Sequence, residues 1–538
     1  MSLSRPLARL ALSSCIGLAA CSSNGSSTSS QDEPDASKGH DAGADVAPDA
    51  TPASHDGGSD TSTPGHDDGS AGDSSTTTAA DSSTGGDAGD SSTTTPDAGP
   101  LGPIDLTTAT IYSVYTSIYS QAGSLDAVTA DLGRIRGLGF NVLYLLPVTP
   151  IGQATGSHPS YGSPYCVHDY YAIDPSLGTS ADLVALVNAA HALGMYVILD
   201  EVLNHTSWDN ALITEHPEYY VHSDGNPQNP ASIEQAFTFA DVAQLDYKTP
   251  TNGLATYMTT MLSTLVTTYG VDGFRFDTAD NPYGSGRMIT QTFWQAMATQ
   301  LATVKPGLLL LGEEEDPQLD EAPFTLDYGW DLQGLYGSGG LQQVASGGSA
   351  TMLQTAWTSQ VTGYPTGTHH MTLMQDWDLD EDLTLYGGVP NTMAAATFAF
   401  TIDGVPMLFN GEEVGNDNSA VNTHTVIDWA SPNAGTFQPF YESLLKLRNG
   451  TAALQDGTVD WIQNSASGSV ATFTRSDANG TVLVAINFSG GTVSGTLSAP
   501  SASGWADVSP VGSPGGTHHA SPPDFSLSGY DFEVLQAK

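Results

Sequence analysis

Short apolar runs alternate with amphipathic helical patterns from residue 107 onward. Eight runs are nearly continuous in hydrophobic and β-branched residues, as are the strands of a parallel sheet that is covered on both faces. Eight strands separated by helices over about 340 residues favour a closed (β/α)8 TIM barrel over an open sheet. The eight runs are TIYSVY (110–115), NVLYLLPV (141–148), MYVILDEV (195–202), VDGFRFD (271–277), LLLLGE (308–313), FTLDYGW (324–330), MTLMQDWD (371–378) and VPMLFNGEE (405–413).

Two regions depart from this alternation. Residues 205–250 are irregular and predict a small inserted subdomain of B type within the barrel, which covers residues 105–450. Residues 455–538 alternate apolar and polar positions between Gly, Asn and Ser, which predicts a C-terminal antiparallel β-sandwich. The predicted fold class is therefore α/β, with a barrel, an inserted subdomain and a sandwich domain.

The N-terminal part of the chain has a different character. Residues 1–21 combine two arginines with an apolar stretch too short for a stable bilayer anchor, which is typical of an export signal. The segment LAAC (18–21) resembles a bacterial lipoprotein box, so we expect lipidation at Cys21 and anchoring to the cell envelope. The alternative is an ordinary signal peptide with an incidental Cys, and a secreted protein. Residues 22–104 are mostly Ser, Thr, Gly, Ala, Asp and Pro and predict a disordered acidic tether.

The charge balance narrows the choice of partner. The chain has 13 Lys+Arg against 59 Asp+Glu, a net charge of −46. Such a protein repels nucleic acid and anionic membrane surfaces, so neutral or cationic partners are favoured. We expect membrane contact through the lipid anchor alone. Cys166 would be the thiol that remains after processing, so no intramolecular disulfide is expected. We also expect no organic cofactor and a monomeric protein.

Acidic residues recur at one topological position. Asp200, Asp277, Glu313 and Asp378 all lie at or just beyond the C-terminal ends of strand candidates. In a closed barrel these ends converge on one mouth, where active sites form. We therefore expect the four carboxylates to share a site.

Two of these carboxylates suit glycoside hydrolysis. A retaining glycosidase needs one carboxylate as nucleophile and a second as acid/base, about 5–5.5 Å apart. Arg275 and Asp277 emerge on one face of their strand, so the arginine favours the ionised form of Asp277; a purely structural ion pair is the alternative. Glu313 follows four leucines and a glycine, and poor solvation there favours a protonated acid. Glu314 and Glu315 remain alternatives for that acid.

Four motifs follow one another in order: DEVLNHTS (200–207), GFRFD (273–277), LLGE (310–313) and LMQDWD (373–378). They resemble the four characteristic regions of the α-amylase family, glycoside hydrolase family 13, and the similarity covers roughly residues 107–538. The resemblance implies that Asp277 is the nucleophile, Glu313 the proton donor and Asp378 the stabiliser of the transition state. It also implies sugar-binding roles for Asp200, His205, Arg275 and, in the segment SPYCVHDYYAIDPSLGT (163–179), Tyr165.

Two positions depart from the family pattern. Trp377 stands where the fourth region usually has a His, and Asp280-Asn281 replaces the Lys-His pair that follows the nucleophile in many amylases. Neither change removes a catalytic carboxylate, so the substrate preference is affected rather than the reaction class. We predict that Trp377 contacts the sugar through its apolar ring face. Ordinary packing is the alternative for Trp377, Tyr165 and His205.

The resemblance also implies a metal. Asn204 and Asp246 match positions that bind a structural Ca2+ in many relatives, and calcium requires oxygen ligands.

The sequence thus predicts an exported retaining hydrolase that cleaves the α-1,4-glucosidic bonds of starch or maltodextrins. A glucanotransferase or an oligosaccharide-specific α-glucosidase would use the same carboxylates. A catalytically silent glycan-binding lipoprotein is a third possibility.

Overall fold

The structure, a computed structural model, describes residues 101–153, 162–237, 239–279, 288–335, 339–379, 382–416, 424–515 and 522–538. The predicted signal peptide, Cys21 and nearly all of the predicted tether lie outside these ranges, as do Asp280 and Asn281. Within the described ranges, no helix is both long enough and apolar enough to cross a bilayer.

The strands are defined here in chain order. They are β1 (Ile111–Val114), β2 (Val142–Leu145), β3 (Tyr196–Glu201), β4 (His205–Ser207), β5 (Val242–Gln244), β6 (Gly273–Phe276), β7 (Leu309–Gly312), β8 (Leu326–Tyr328), β9 (His369–Thr372), β10 (Val405–Phe409), β11 (Thr458–Trp461), β12 (Val470–Ser476), β13 (Thr481–Asn487), β14 (Val493–Thr496), β15 (Trp505–Asp507), β16 (Asp524–Leu527) and β17 (Phe532–Ala537).

Eight parallel strands close into a ring in the order β1-β10-β9-β8-β7-β6-β3-β2. Every residue of β1, β2, β6, β7 and β10 is buried, as continuous hydrophobic runs predict for a sheet covered on both faces. The predicted barrel is therefore confirmed.

The seventh strand begins earlier than the hydrophobic pattern predicts. The pattern places it at residues 371–378, whereas β9 covers His369–Thr372. The two histidines belong to the strand because they pair in register with Leu326 and Asp327 of β8. Residues 373–379 consequently lie beyond the strand, and two of them, Trp377 and Asp378, line the pocket described below.

The helices are likewise defined in chain order. They are α1 (Thr116–Tyr119), α2 (Leu125–Leu138), α3 (Ser180–Ala192), α4 (Leu212–Glu215), α5 (Leu254–Tyr269), α6 (Gln291–Val304), α7 (Pro317–Asp320), α8 (Trp330–Gln333), α9 (Leu341–Ala345), α10 (Thr351–Val361), α11 (Asp382–Tyr386), α12 (Val389–Thr401), α13 (Ala434–Asn449) and α14 (Ala452–Asp456), with 3-10 turns at Pro217–Tyr219, Pro230–Ser232 and Glu412–Val414.

Local sequence signals set the boundaries of the covering helices. α3 starts in a capping box, in which the Thr179 side chain accepts from the Asp182 amide and the Asp182 side chain accepts from the Thr179 amide. α5 ends at Gly270, whose φ of +75° suits a residue without a Cβ. Gly273 then lets β6 approach β7 closely, because a Cβ there would lie 2.3 Å from the Leu309 carbonyl oxygen.

The inserted segment contains little regular structure. Its strands β4 and β5 pair antiparallel, with His205 opposite Gln244. Short helical turns connect them, and the segment leads into α5. This hairpin brings His205 to the mouth of the barrel.

The C-terminal region consists of a five-stranded antiparallel sheet, β11-β12-β13-β17-β15, and the two-stranded antiparallel sheet β14-β16. Phe398 of α12 packs edge-on against Phe473 of β12, at 5.8 Å between ring centroids. Arg475, fully buried, pairs with Asp403 at 3.0 Å and donates to the Thr401 carbonyl. Apolar packing and this ion pair thus join the sheet to the barrel.

Candidate active site

The four carboxylates singled out from the sequence lie at the C-terminal end of the barrel. Asp200 is close to the end of β3. Asp277 and Glu313 directly follow β6 and β7, and Asp378 lies on the loop after β9. The topology therefore brings all four to the barrel mouth.

A pocket of about 100 Å3 opens at this mouth. Its lining includes Asp277, Glu313 and Asp378 together with Tyr165, His205 and Trp377. The remaining lining residues are Ser163, Cys166, Phe237, Phe239, Asp241, Val242 and Thr278.

A larger cavity, of about 720 Å3, lies between α5 and α6. Its lining includes seven Thr and Ser residues, and Asp246 is the one carboxylate among the described residues that line it. It therefore offers no pair of carboxylates for acid/base chemistry, in contrast to the smaller pocket.

Asp277 is oriented by several donors. Its backbone N–H donates to the Glu201 carbonyl at 3.1 Å. The Asn204 side-chain amide donates to the Asp277 carbonyl at 2.8 Å and to Oδ2 at 3.2 Å, and the Thr278 hydroxyl donates to Oδ2 at 3.2 Å. Nη1 of Arg275 lies 3.4 Å from Oδ1. The carboxylate is therefore fixed in position at the pocket wall.

Glu313 is held by a cation and a backbone amide. Its Oε2 accepts from Nη2 of Arg275 at 2.7 Å and from the backbone N–H of Thr278 at 2.8 Å. Burial raises its pKa well above the usual range, and repulsion by Asp277 and Asp378 adds to this, against the lowering effect of Arg275. Glu313 thus combines access to the pocket with a raised pKa, as a general acid requires.

The two neighbouring glutamates face elsewhere. Oε2 of Glu314 accepts from the backbone N–H of Asp316, and Oε1 of Glu315 accepts from that of Asp331 at 2.8 Å. Neither glutamate lines the pocket. Of the three consecutive glutamates, Glu313 is therefore the one that lines the pocket.

Asp378 is exposed on the pocket side, in contrast to buried Asp376 two residues earlier. The Asp378 backbone N–H donates to Oδ1 of Asp376 at 2.9 Å. Although solvent reaches Asp378, the protein packed around it and the charge of Asp376 raise its pKa to about 8. Burial, and then the charge of Glu313, raise the pKa of Asp376 to about 7.

Asp200 and Arg275 lie beneath the pocket rather than in its wall. Nη1 of Arg275 lies 2.8 and 2.9 Å from the two carboxylate oxygens of Asp200, and both residues are buried. Oδ2 of Asp200 also accepts from the hydroxyls of Tyr144, at 2.6 Å, and Tyr165, at 3.0 Å. Asp200 and Arg275 are therefore not among the described pocket-lining residues, but Arg275 contacts Asp277 and Glu313, which are.

The aromatic residues and His205 form the remaining wall. His205 Nε2 lies 3.0 Å from the Tyr165 carbonyl oxygen. Trp377 is 6% exposed and packs edge-on against Tyr115, with ring centroids 4.7 Å apart, and tilted against Tyr165, at 6.3 Å. Trp377 is therefore both a packing residue and part of the pocket lining.

The sequence-predicted calcium ligands have different surroundings. Oδ1 of Asn204 is buried without a hydrogen-bond partner, which fits a metal ligand. Oδ1 of Asp246 accepts from the Lys248 backbone amide at 2.8 Å, and Asp246 faces the larger cavity. Oδ1 of Asn204 thus suits a metal ion, and calcium binding by Asn204 and Asp246 stays a prediction.

Sequence reasoning missed two residues that orient the carboxylates. Tyr144, in the second strand candidate, donates a hydrogen bond to Asp200. Its hydroxyl group within an apolar strand is the sequence feature that could have indicated this role. Thr278 directly follows Asp277 and has a φ of +40°, which is unfavourable for a β-branched residue. This turn aims its N–H at Glu313.

This arrangement suits acid/base and nucleophilic chemistry at one sugar unit. A fixed carboxylate, a glutamic acid with a raised pKa and a third carboxylate share one pocket, and a buried arginine contacts the first two. Aromatic rings in the wall offer faces for an apolar sugar surface.

Comparison with known proteins identifies the family. The model of the α-amylase catalytic domain matches residues 111–434, which is more than half of the chain. The protein belongs to the α-amylase family.

Individual relatives share the family but differ in activity. A cyclomaltodextrinase from a Bacillus species is 25% identical over 384 residues, which cover 68% of this chain and 65% of the relative. An alpha-1,4-glucan:maltose-1-phosphate maltosyltransferase from Arcanobacterium haemolyticum is 32% identical over 212 residues, 36% of this chain and 28% of that enzyme. The chain thus spans less than two thirds of the length of these curated relatives.

Solved structures agree with the fold. A maltogenic alpha-amylase from Thermotoga neapolitana superposes with a TM-score of 0.69 at 25% identity, over 81% of this chain and 99% of that one.

Proposed function

We propose that this protein is a retaining glycoside hydrolase that cleaves α-1,4-glucosidic bonds of starch or maltodextrins. The observation that carries the proposal is the shared contact of Asp277 and Glu313 with one guanidinium, that of Arg275, at the wall of one pocket. A shared guanidinium keeps two carboxylates close together, and closely spaced carboxylates are the arrangement of retaining enzymes. The similarity to a cyclomaltodextrinase supports this substrate class.

Glu313 acts as the acid in the first step of the proposed reaction. It gives its proton to the glycosidic oxygen as the bond to the anomeric carbon breaks. Asp277 attacks that carbon and forms a glycosyl ester, and the shortened glucan leaves as an alcohol. Asp378, which also lines the pocket, stabilises in its ionised form the positive charge that develops on the sugar ring.

The second step regenerates the enzyme. Glu313, now ionised, removes a proton from water, and the resulting hydroxide attacks the anomeric carbon and releases Asp277. The product keeps the configuration of the substrate because the carbon is inverted twice.

The sugar in this pocket would contact the residues that line it. Tyr165 and Trp377 offer ring faces or edges, and His205 lies beside them. Arg275 and Asp200 act through the residues above them, because both are buried below the pocket.

The proposal is tested by incubating the purified protein with soluble starch, maltoheptaose and a cyclodextrin and resolving the products by chain length. Shorter maltooligosaccharides of α-configuration, measured by proton NMR immediately after cleavage, are expected. An Asp277→Asn variant is the control and should give none. No cleavage by the wild-type protein, or products of β-configuration, would contradict retaining hydrolysis.

A glucanotransferase is the second candidate, and the maltosyltransferase relative favours it. It would use the same two steps with a sugar hydroxyl in place of water. Products longer than maltoheptaose in the same assay would identify it. A silent glycan-binding protein would retain the substrate unchanged.

We also propose that the protein is exported and anchored by a lipid at Cys21. The box LAAC and the acidic, Ser-rich segment that follows it support this proposal. A Cys21→Ser variant should move from the membrane fraction to the soluble fraction, whereas unchanged fractionation would mean that the cysteine is incidental.

A further inference from the structure

A second carboxylate cluster begins at the residue after Glu313, and the proposed reaction does not use it. Glu314 follows Glu313 after β7, Asp320 ends α7, and Asp327 lies in β8. One oxygen from each of Glu314, Asp320 and Asp327 lies within 4.8 Å of the others, and all three side chains are buried.

Several oxygens of this cluster have no hydrogen-bond partner. Both carboxylate oxygens of Asp320, 7% exposed, are buried without one, and so is Oδ2 of Asp327, 0% exposed. Leaving buried carboxylate oxygens unsatisfied is unfavourable, so such groups are normally paired or bind a metal. One oxygen of Asp320 and one of Asp327 lie within 4.8 Å of each other and of an oxygen of Glu314.

His370 contacts one oxygen of Asp327. Its Nδ1 lies 2.5 Å from Oδ1 of Asp327. This contact leaves Oδ2 of Asp327, which is buried without a hydrogen-bond partner, for another partner.

The backbone is shaped to admit the third carboxylate. A Cβ at Gly312 would lie 2.7 Å from Cγ of Glu314, so the glycine makes room for this side chain to turn inward. The Asp316 amide, donating to Oε2, then holds the Glu314 carboxylate. The inward position of Glu314 is thus built into the loop.

The donor set indicates the class of the ligand. All three donors are carboxylate oxygens, which suit calcium, whereas zinc prefers nitrogen and sulfur ligands. Oxygens that bind calcium at about 2.3–2.6 Å lie up to about 5 Å apart across the ion, so oxygens that all lie within 4.8 Å of one another can share it. Magnesium usually keeps several waters and is seldom held by a dedicated all-protein cage.

We propose that Glu314, Asp320 and Asp327 bind a divalent cation of the calcium class, with water completing its coordination. The ion would join the loop after β7 to β8 directly behind Glu313 and stabilise that loop. This site is separate from the sequence-predicted pair Asn204 and Asp246, and it does not depend on the proposed hydrolase activity.

The test is calcium binding by the full-length protein after treatment with EDTA. Isothermal titration and differential scanning fluorimetry are performed on wild type and Asp320→Asn. Glu321→Gln is the matched control because Glu321 is the next residue and is exposed. Asp246→Asn controls for the other predicted site.

Asp320→Asn should lose one calcium per chain, or bind it at least tenfold more weakly. The calcium-dependent rise in Tm should disappear in this variant and persist in Glu321→Gln and Asp246→Asn. Equal stoichiometry and affinity in wild type and Asp320→Asn would overturn the proposal. A wild-type protein whose Tm does not respond to calcium would also overturn it, and would mean that Asp320 and Asp327 share a proton instead.

A second measurement decides the matter if Asp320→Asn does not fold. The ring of Tyr364 lies 4.6 Å from that of His370, and the charges of all three carboxylates act on its hydroxyl. Terbium in the cluster should therefore be sensitised by Tyr364, and Tyr364→Phe should reduce the emission that calcium displaces. Unchanged emission in Tyr364→Phe would overturn the proposal.

Discussion

Arg275 lies closer to Glu313 than to Asp277: Nη2 is 2.7 Å from Glu313 Oε2, whereas Nη1 is 3.4 Å from Asp277 Oδ1. The arginine therefore serves the acid more directly than the nucleophile. Nη1 also contacts both carboxylate oxygens of Asp200, at 2.8 and 2.9 Å. The pKa of Glu313 is nevertheless raised, because burial and the charges of Asp277 and Asp378 outweigh the arginine.

This balance predicts the pH dependence of activity. Glu313 must be protonated to act as the acid, so kcat/KM should fall as the pH rises through its raised pKa. Asp378 has a pKa of about 8, and in its ionised form it repels the charge of Glu313. Asp378→Asn removes this repulsion, which lowers the pKa of Glu313 and should move the basic limb to lower pH. The pH profile of kcat/KM is measured from pH 4 to 10 for the wild type, for the residual activity of Asp378→Asn, and for the control Glu321→Gln. The basic limb of the control should lie at the same pH as that of the wild type. If the basic limb of Asp378→Asn also lies there, the assignment of Glu313 as the acid is contradicted.

Variants of Glu313 and Glu315 test which of the two glutamates is the general acid. Glu313→Gln should lose most activity on maltooligosaccharides but recover part of it on an aryl maltoside, whose good leaving group needs little protonation. Glu315→Gln should keep this activity, because its carboxylate accepts from the Asp331 amide outside the pocket. Steady-state kinetics on both substrates measure the difference. The reverse pattern would show that the acid is misplaced by two residues.

Trp377 should affect both stability and substrate use. Trp377→Ala removes a ring that is 6% exposed and packs on Tyr115, so unfolding free energy should fall by about 3–5 kcal/mol. Trp377→Phe keeps an aromatic face and should retain the fold. If the ring contacts sugar, Trp377→Phe should lower kcat/KM on maltooligosaccharides at unchanged Tm. The loss should correspond to about 1 kcal/mol or more of transition-state stabilisation. If Trp377→Phe has a lower Tm but wild-type kinetics, Trp377 is a packing residue and does not contact the sugar.

A substitution of Tyr144 tests whether the hydrogen bonds to Asp200 contribute to catalysis. Tyr144→Phe removes the 2.6 Å hydrogen bond to Asp200, a bond to a charged group worth about 1.5–3 kcal/mol. Because Tyr144 does not line the pocket, kcat should fall with little change in KM. Tyr165→Phe removes the other hydroxyl on Asp200 but also alters the pocket wall, so its KM should rise. Equal effects of the two substitutions on KM would contradict this division.

Much of the fold follows from the sequence because buried parallel strands are continuous hydrophobic runs. β3, β6 and β7 each lie within a predicted run, and their terminal acids follow from it. β9 was misplaced because it begins with two histidines, and only its pairing with β8 reveals them as strand residues.

The pairing of Arg275 could not be predicted in the same way. Alternation along one strand identifies Asp277 as a neighbour, but it carries no information about the next strand. The register of β3 and β6 places Asp200 directly beside Arg275, and the turn after β7 returns Glu313 to it. The cluster behind Glu313 was likewise invisible, because the chain folds back through α7 before Asp327 joins it.

Trapping the covalent intermediate tests the central claim most directly. The wild-type protein is incubated with a 5-fluoro-α-glucosyl fluoride, which slows hydrolysis of the glycosyl-enzyme, and is then digested and analysed by mass spectrometry. We predict one added fluoroglucosyl group on the peptide that contains Asp277, and no label in Asp277→Asn. A label on Glu313 or Asp378, or an unlabelled protein that still hydrolyses maltooligosaccharides with inversion, would contradict the account.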